Sequence, residues 1–443
     1  MGSTAPRMFD TTVPVLMLKV GHNPLHHGGV GIARSLGRVG IPVYGVYEDR
    51  FTPASLSRYV RGRFVWRNED IRVDEFLSGM AAIAKRIQRP TILVPMDDHG
   101  AILIAEHADS LPGSFLFPHQ TSGLPRTLAS KAGLYRLCKE LGVPSPEAVF
   151  PATRSDVEGF LARAIFPVVV KATQGWSVPR DTRVKSTTIV DTPEGVLDIY
   201  EQLQDRPGGD LMFQEYIPRD QGQDWFFHGY CDERSDCLVG FTGVKVRSYP
   251  AYAGPTTLGR CVENEVLRHQ AEQLFKVLNY RGIMDLDYRL DRRDGMYKLT
   301  DFNPRIGAQF RLFVNEDGID VVRALHLDLT GHAVPPSRPV EGRRFMTEHH
   351  DILAGWAYHR DGGLTFRTWF RSIRGVEELA WLATDDLRPF AVMSLRFLVR
   401  GIQIALGRIS LTNYFPRQGR MPLPRRERAP HTVGRWRTSQ EGR

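Results

Sequence analysis

Asp287, Asp301 and Asn303 fall within YRGIMDLDYRLDRRDGMYKLTDFNPR, two apolar strand segments separated by a charged Asp-Gly turn. A strand has period two, so Asp285 and Asp287 share a face of the first segment, and Asp301 and Asn303 share a face of the second. Pairing across the turn then gathers carboxylates in one place. Two carboxylates and an amide are hard oxygen donors that suit Mg2+, with Mn2+ as a substitute, and Mg2+ commonly keeps waters and ligates substrate phosphates. Arg305, just past Asn303-Pro304, adds a planar cation able to hold a phosphate or carboxylate in bidentate fashion. In GVKVRSYP, Lys245 and Arg247 stand two residues apart, so a regular strand puts both on one face, where adjacent cations call for an anion. Nucleotide chemistry is the first reading.

The elements that must position these groups are legible upstream. VPVLMLKV, a Gly/His/Pro loop and GIARSLGRVG read as strand, turn and helix; IPVYGVYE and, after a helical segment around Glu75 to Ile87, TILVPMDD supply further strands of an α/β domain. Gly29-Val30-Gly31 begins a dinucleotide fingerprint, but Arg34 stands where its last glycine belongs, which argues against NAD binding. His22, His26 and His27 lack an acidic or cysteine partner nearby in sequence and read as ordinary loop histidines. Asp97, Asp98 and His99 close a strand at the end where parallel sheets gather functional loops; they either cap the next helix or touch a small substrate. AGLYRLCKELG is a short helix ended by Gly142, and FPVVVKA and LMFQEYIP are strands of a second, more strand-rich domain. Between those strands, Ala172 to Lys185 is a polar loop, either an ordinary surface loop or one that folds over a bound group.

At 443 residues the chain is too long for one core. The expected segments are an N-terminal α/β domain (1–127), a nucleotide-binding and catalytic domain (128–335), an accessory helical region (336–411) and a basic tail (412–443). The tail carries eight arginines and two glutamates, which leaves only +2 of the net charge of +8 for the body. That distribution weighs against a nucleic-acid-binding body, although a tail-borne RNA-binding or scaffold protein with a nucleotide-sensing core is the competing class. The four cysteines form no CxxC pair and imply a reducing compartment. Val13 to Val20 is too short for a membrane span or a secretory signal, so the expected location is cytoplasmic. Leu395 to Leu406 reads as a helix carrying Arg396 and Arg400, which covers the enzyme, joins a homodimer, or rests with the basic tail on the inner face of an acidic membrane.

The order Lys131, FPVVVK ending at Lys171, FQEYIP, FTGVKVRSYP, Asp287 and the run Asp301 to Arg305 resembles the ATP-grasp superfamily, and most of all its carboxylate-amine ligase branch, which includes the D-aspartate ligases. The resemblance covers roughly residues 13 to 335. It implies α/β and α+β architecture: an N-terminal α/β domain, two ATP-grasp subdomains holding ATP between them, and here a C-terminal helical extension. It implies that Lys131 and Lys171 face phosphate, that the backbone of Gln214, Glu215, Tyr216 and Ile217 recognises adenine, and that Asp224 contacts ribose. Asp287, Asp301 and Asn303 then hold Mg2+, while Lys245, Arg247 and Arg305 stabilise an acyl phosphate. The family commonly has a glutamate where this chain has Asp301 and a longer acid or amide at Asp287. The implied reaction joins a small-molecule carboxylate to an amine with release of ADP and phosphate; carboxylation or ligation to another nucleophile is the alternative within the superfamily.

Overall fold

The computed structural model describes residues 8–66, 71–173, 188–203, 211–218, 220–252 and 254–405. The polar loop from Gln174 onward and the basic tail lie outside the described residues, as does Leu406 at the end of the expected terminal helix.

The first sheet is parallel and built from β1 (Val15–Leu18), β2 (Val43–Tyr47), β3 (Val60–Val65), β4 (Thr91–Pro95) and β5 (Phe115–Leu116), in the order β3-β2-β1-β4-β5. α1 (Gly28–Gly37), α2 (Val73–Ile87) and α3 (Asp98–Glu106) connect it. β1 is apolar on both faces, as a strand buried between helices must be. Arg34, the residue that spoils the dinucleotide fingerprint, is completely buried; it donates to Asp386 at 3.1 Å and to the carbonyls of Trp381 and Asp386. A glycine there would leave Asp386 without its cation, so this position fastens the C-terminal region to the first domain.

α4 (Leu124–Ala129) and α5 (Lys131–Leu141) lead into the second sheet, β6 (Ala148–Val149), β7 (Val168–Ala172), β8 (Thr188–Val190) and β9 (Leu211–Glu215), ordered β6-β9-β7-β8 and flanked by α6 (Arg154–Leu161) and α7 (Pro193–Leu203). α5 starts at a Ser130 cap, whose hydroxyl accepts from the Gly133 amide, and stops at Gly142, whose φ of +67° suits a residue without Cβ.

The third sheet is the largest. Its strands are β10 (Gly222–Cys231), β11 (Cys237–Ser248), β12 (Thr256–Cys261), β13 (Gly282–Asp291), β14 (Met296–Asn303), β15 (Arg344–Met346) and β16 (Glu378–Leu379), ordered β14-β13-β10-β11-β12-β15-β16. α8 (Glu265–Leu278) and α9 (Val321–Leu329) accompany it, followed by α10 (Glu348–Arg360), α11 (Phe366–Ile373) and α12 (Arg388–Ala405). The region after 335 is thus helix-rich but also lengthens the sheet by two short strands. α12 begins seven residues before the expected Leu395, because Pro389, Phe390 and Met393 pack inward.

Two bulges decide which side chains share a face. In β14, Asp301 pairs with Asp287 and Asn303 with Asp285, but Leu299 pairs with Tyr288, leaving Thr300 as the extra residue. Without that bulge Leu299 and Asp301 would share a face; with it Leu299 joins Tyr288 and Phe302 in the core while Asp301 stays with Asp287. Burying each of those three side chains contributes about 1.5–3 kcal/mol. In β11, Lys245 pairs with Gly259 and Arg247 with Leu258, so Val246 is the extra residue.

Candidate ATP-binding and catalytic site

A cavity of about 770 Å3 lies where the three sheets meet. Its floor is the β13–β14 hairpin with Asp287, Asp301, Asn303 and Arg305. Lys131 and Lys171 enter from the second sheet side, and Lys245 from β11. Gln214 to Ile217 form another wall, with Asp224 beside them, and Asn23, His26 and Asp98 reach in from the first domain.

The sequence therefore brings together all but one of its expected site residues. The exception is Arg247. The bulge at Val246 turns its side chain away from Lys245, where it is 3% exposed and bound bidentately to Asp351 of α10 at 2.9 and 2.8 Å, with Ser372 as a third partner. Strict period two, which predicted a Lys245–Arg247 pair, fails at an inserted residue.

Around the hairpin the charges are only partly matched. Lys131 donates to Asp301, whereas Asp287 has Lys245 at 3.8 Å, too long for a hydrogen bond. Asp287 and Asp301 each remain 31% exposed toward the cavity. Burial, together with Asp285 and Asp301 close by, raises the Asp287 carboxyl above its ordinary range despite Lys245. Burial also works to raise Asp301, but Lys131, Lys171 and Arg305 outweigh it and hold it below. Lys171 is pushed down to about 8, first by burial and then by Lys131. The described cavity lining carries six carboxylates and five Lys or Arg side chains, so it does not attract a polyphosphate by net charge. A divalent cation at Asp287 and Asp301 reverses that balance, and the under-partnered Asp287 carboxylate suits one. Among the described residues no group of three His, Cys, Asp or Glu is placed to hold a metal. The oxygen donors that a divalent cation would find here are the Asp287 and Asp301 carboxylates and the Asn303 amide.

Asp285, which shares the face of Asp287, is committed elsewhere. His228 Nε2 lies 2.9 Å from it and Arg305 3.0 Å, and these neighbours overcome the upward push of burial and hold its carboxyl down at about 2. Arg305 also donates to the Asn303 Oδ1 at 2.8 Å and sits 3.3 Å from Asp98. Of the strand-end acids, Asp97 is the cap, accepting from the Gly100 amide at 2.8 Å, and Asp98 is the one that faces the cavity; burial raises its carboxyl.

The linker wall is held from behind. Arg289 donates to Asp224 and, at 2.9 Å, to the Ile217 carbonyl. Glu215 accepts from Lys298 at 3.0 Å. Arg289 and His228 are supporting groups that no local motif marks, and His26, in sequence an ordinary loop histidine, lines the cavity. Only the alternation in WFFHGY, which sets a histidine among buried aromatics, hinted at His228.

No family model matches the chain. A curated relative, the D-aspartate ligase of Enterococcus faecium (strain Aus0004), is 24% identical over 309 residues, covering 66% of this chain and 72% of that protein. Among solved structures, the biotin carboxylase domain of the Hydrogenobacter thermophilus 2-oxoglutarate carboxylase, crystallised with magnesium ADP and bicarbonate, superposes with a TM-score of 0.55 at 15% identity, over 75% of this chain and 72% of that one. The L-amino acid ligase of Bacillus licheniformis gives 0.55 at 14% identity, over 76% and 79%. These two show the shared fold, and the first relative shows kinship in sequence across two thirds of the chain. With both lines in agreement around one three-sheet cavity, the chain has the ATP-grasp fold and is similar in sequence to a D-aspartate ligase.

Proposed function

We propose that this protein is an ATP-dependent carboxylate-amine ligase. In this reading the carboxylate oxygen attacks the terminal phosphorus of ATP and ADP leaves. The amine then attacks the acyl carbon, phosphate departs, and an amide or peptide-like bond remains. The observation that carries the reading is the direct opposition of Asp287 and Asp301 across the hairpin, with Lys131, Lys171 and Lys245 around them and the Gln214–Ile217 wall beside them.

Asp287, Asp301 and Asn303 are the residues that would hold Mg2+, whose charge would neutralise phosphoryl oxygens. Lys171 is buried, and an ammonium in a low-dielectric wall attracts phosphate more strongly than a solvated one. Lys245 faces the same carboxylates and is the remaining candidate to stabilise charge on the acyl phosphate. Arg305 has fixed orientation through Asp285 and Asp98, which equips it to hold a carboxylate or phosphoryl group without reorganising. No covalent protein nucleophile is required. Kinship with a D-aspartate ligase supports the carboxylate-plus-amine pairing, and the likeness to an L-amino acid ligase is compatible with it.

The test is turnover with ATP, Mg2+ and pooled carboxylate/amine pairs. ADP and phosphate should appear only when both partners are present, with a product mass equal to the two joined less one water. AMP and pyrophosphate as products would overturn the acyl-phosphate route.

A further inference from the structure

The C-terminal lobe carries an exposed surface that the cavity chemistry does not use. α10 and α11 pack through Trp369, whose indole donates to Asp351 at 3.0 Å and lies against Gly355. The outer side of this helical hairpin is apolar and basic at once. Trp356, Phe366 and Phe370 are 56%, 51% and 57% exposed, and Ile352 is 60% exposed. Phe366 and Phe370 are four residues apart on one helical face, with Arg367 and Arg371 repeating the same spacing one residue on. Arg360, Arg367, Arg371 and Arg374 are all exposed, and Asp361 is the single acid between 352 and 374. Among the described residues neither Arg367 nor Arg371 has an ion-pair partner. α12 in the same lobe shows a second apolar stripe, Leu395, Leu398 and Ile402, at 59%, 60% and 50% exposure. The sequence after Ala405 then adds nine arginines against two glutamates.

We propose that this lobe docks on the surface of a bilayer rich in anionic lipid. Trp356, Phe366 and Phe370 enter the boundary between headgroups and acyl chains, while the neighbouring arginines face lipid phosphates. Aromatic side chains interleaved with arginine match both layers of such an interface, apolar below and anionic above. A second copy of the chain is disfavoured because two copies of this patch present like charge to each other. A nucleic acid satisfies the arginines and stacks on aromatics, but offers nothing to Ile352, Leu395, Leu398 or Ile402. No described helix is long and apolar enough to cross a membrane, so the contact is peripheral.

The full chain is sedimented with vesicles of mixed phosphatidylglycerol and phosphatidylcholine, and with phosphatidylcholine alone, over a range of salt. Partitioning is expected to be at least about tenfold stronger on the anionic vesicles and to weaken with salt. Phe366→Ser with Phe370→Ser, and separately Arg367→Glu with Arg371→Glu, should each reduce it by roughly tenfold or more with unchanged melting temperatures, since the replaced side chains are exposed. A third full-length variant, Arg425→Gln with Arg426→Gln and Arg428→Gln, should retain most of the binding. No binding to anionic vesicles overturns the proposal. So does binding that survives both hairpin variants but vanishes in the tail variant, a dimer that the phenylalanine substitutions dissolve, or displacement from vesicles by RNA.

Discussion

Two clusters of the same residue types, both built on the third sheet, have opposite characters. Between β11 and α10, Arg247 and Asp351 form a closed pair: both carboxylate oxygens of Asp351 accept from Arg247, and Thr257 and Trp369 fill the remaining positions at 3.0 Å. In the cavity, Asp287 and Asp301 face each other with incomplete partners and open access. A buried charge set that is fully hydrogen-bonded holds structure and has nothing left to offer a ligand. One that is short of counter-charge is costly until a ligand completes it. Saturation of the donors and acceptors, rather than residue type, separates the two.

That comparison fails or sharpens by experiment. The largest expected effect is on stability at the closed pair. Arg247→Met leaves Asp351 buried without its cation and should cost about 3–5 kcal/mol, read by denaturant unfolding. Arg247→Met with Asp351→Leu should recover much of that loss. A single substitution that left stability intact but abolished turnover would return Arg247 to the catalytic set.

Next is Asp301→Asn, which should lower ATP turnover by about 10²–10³-fold while moving the melting temperature only a few degrees. Wild-type turnover at limiting Mg2+ would remove Asp301 from the proposed metal site.

Lys171 gives a smaller, graded effect with a defined sign. Its folded value of about 8 lies below that of an ordinary lysine, so the free protein loses this charge as pH rises through 8, and a bound polyphosphate must draw the proton back. MgATP affinity should therefore fall by about tenfold per pH unit above 8 and be flat below it, as read by calorimetry in buffers of differing ionisation enthalpy. In Lys171→Met the affinity should be weaker and the slope absent. For folding the sign is opposite: the unfolded chain binds the extra proton between about 8 and the ordinary lysine value, so this group adds stability as pH rises through that window.

Smallest of all is Glu215→Gln. Its carboxylate is already engaged by Lys298, and the adenine wall is expected to act through backbone groups, so nucleotide affinity should change by less than about threefold. A large loss would show that the side chain itself reads the base.

Much of the site was legible before the fold. Asp-Gly between two apolar segments specified the hairpin, and period two put Asp287, Asp301 and Asn303 on one surface. Lys171 at the end of VVVK and the Gly142 stop of α5 were equally local, because turns and strand alternation depend on a few neighbouring residues. What the sequence could not supply were the inserted residues and the long-range partners. Val246 and Thr300 look like ordinary strand residues, and only pairing with β12 and β13 makes each an extra one. Lys131 meets Asp301 from 170 positions away, Arg34 meets Asp386 from 352, and Arg289 turns back to grip the Gln214–Ile217 wall. Such contacts depend on how three sheets pack, and no local propensity encodes a distance across separate cores. The chain by itself thus determined which chemistry was on offer; the tertiary structure decided which charges would be left unsatisfied to perform it.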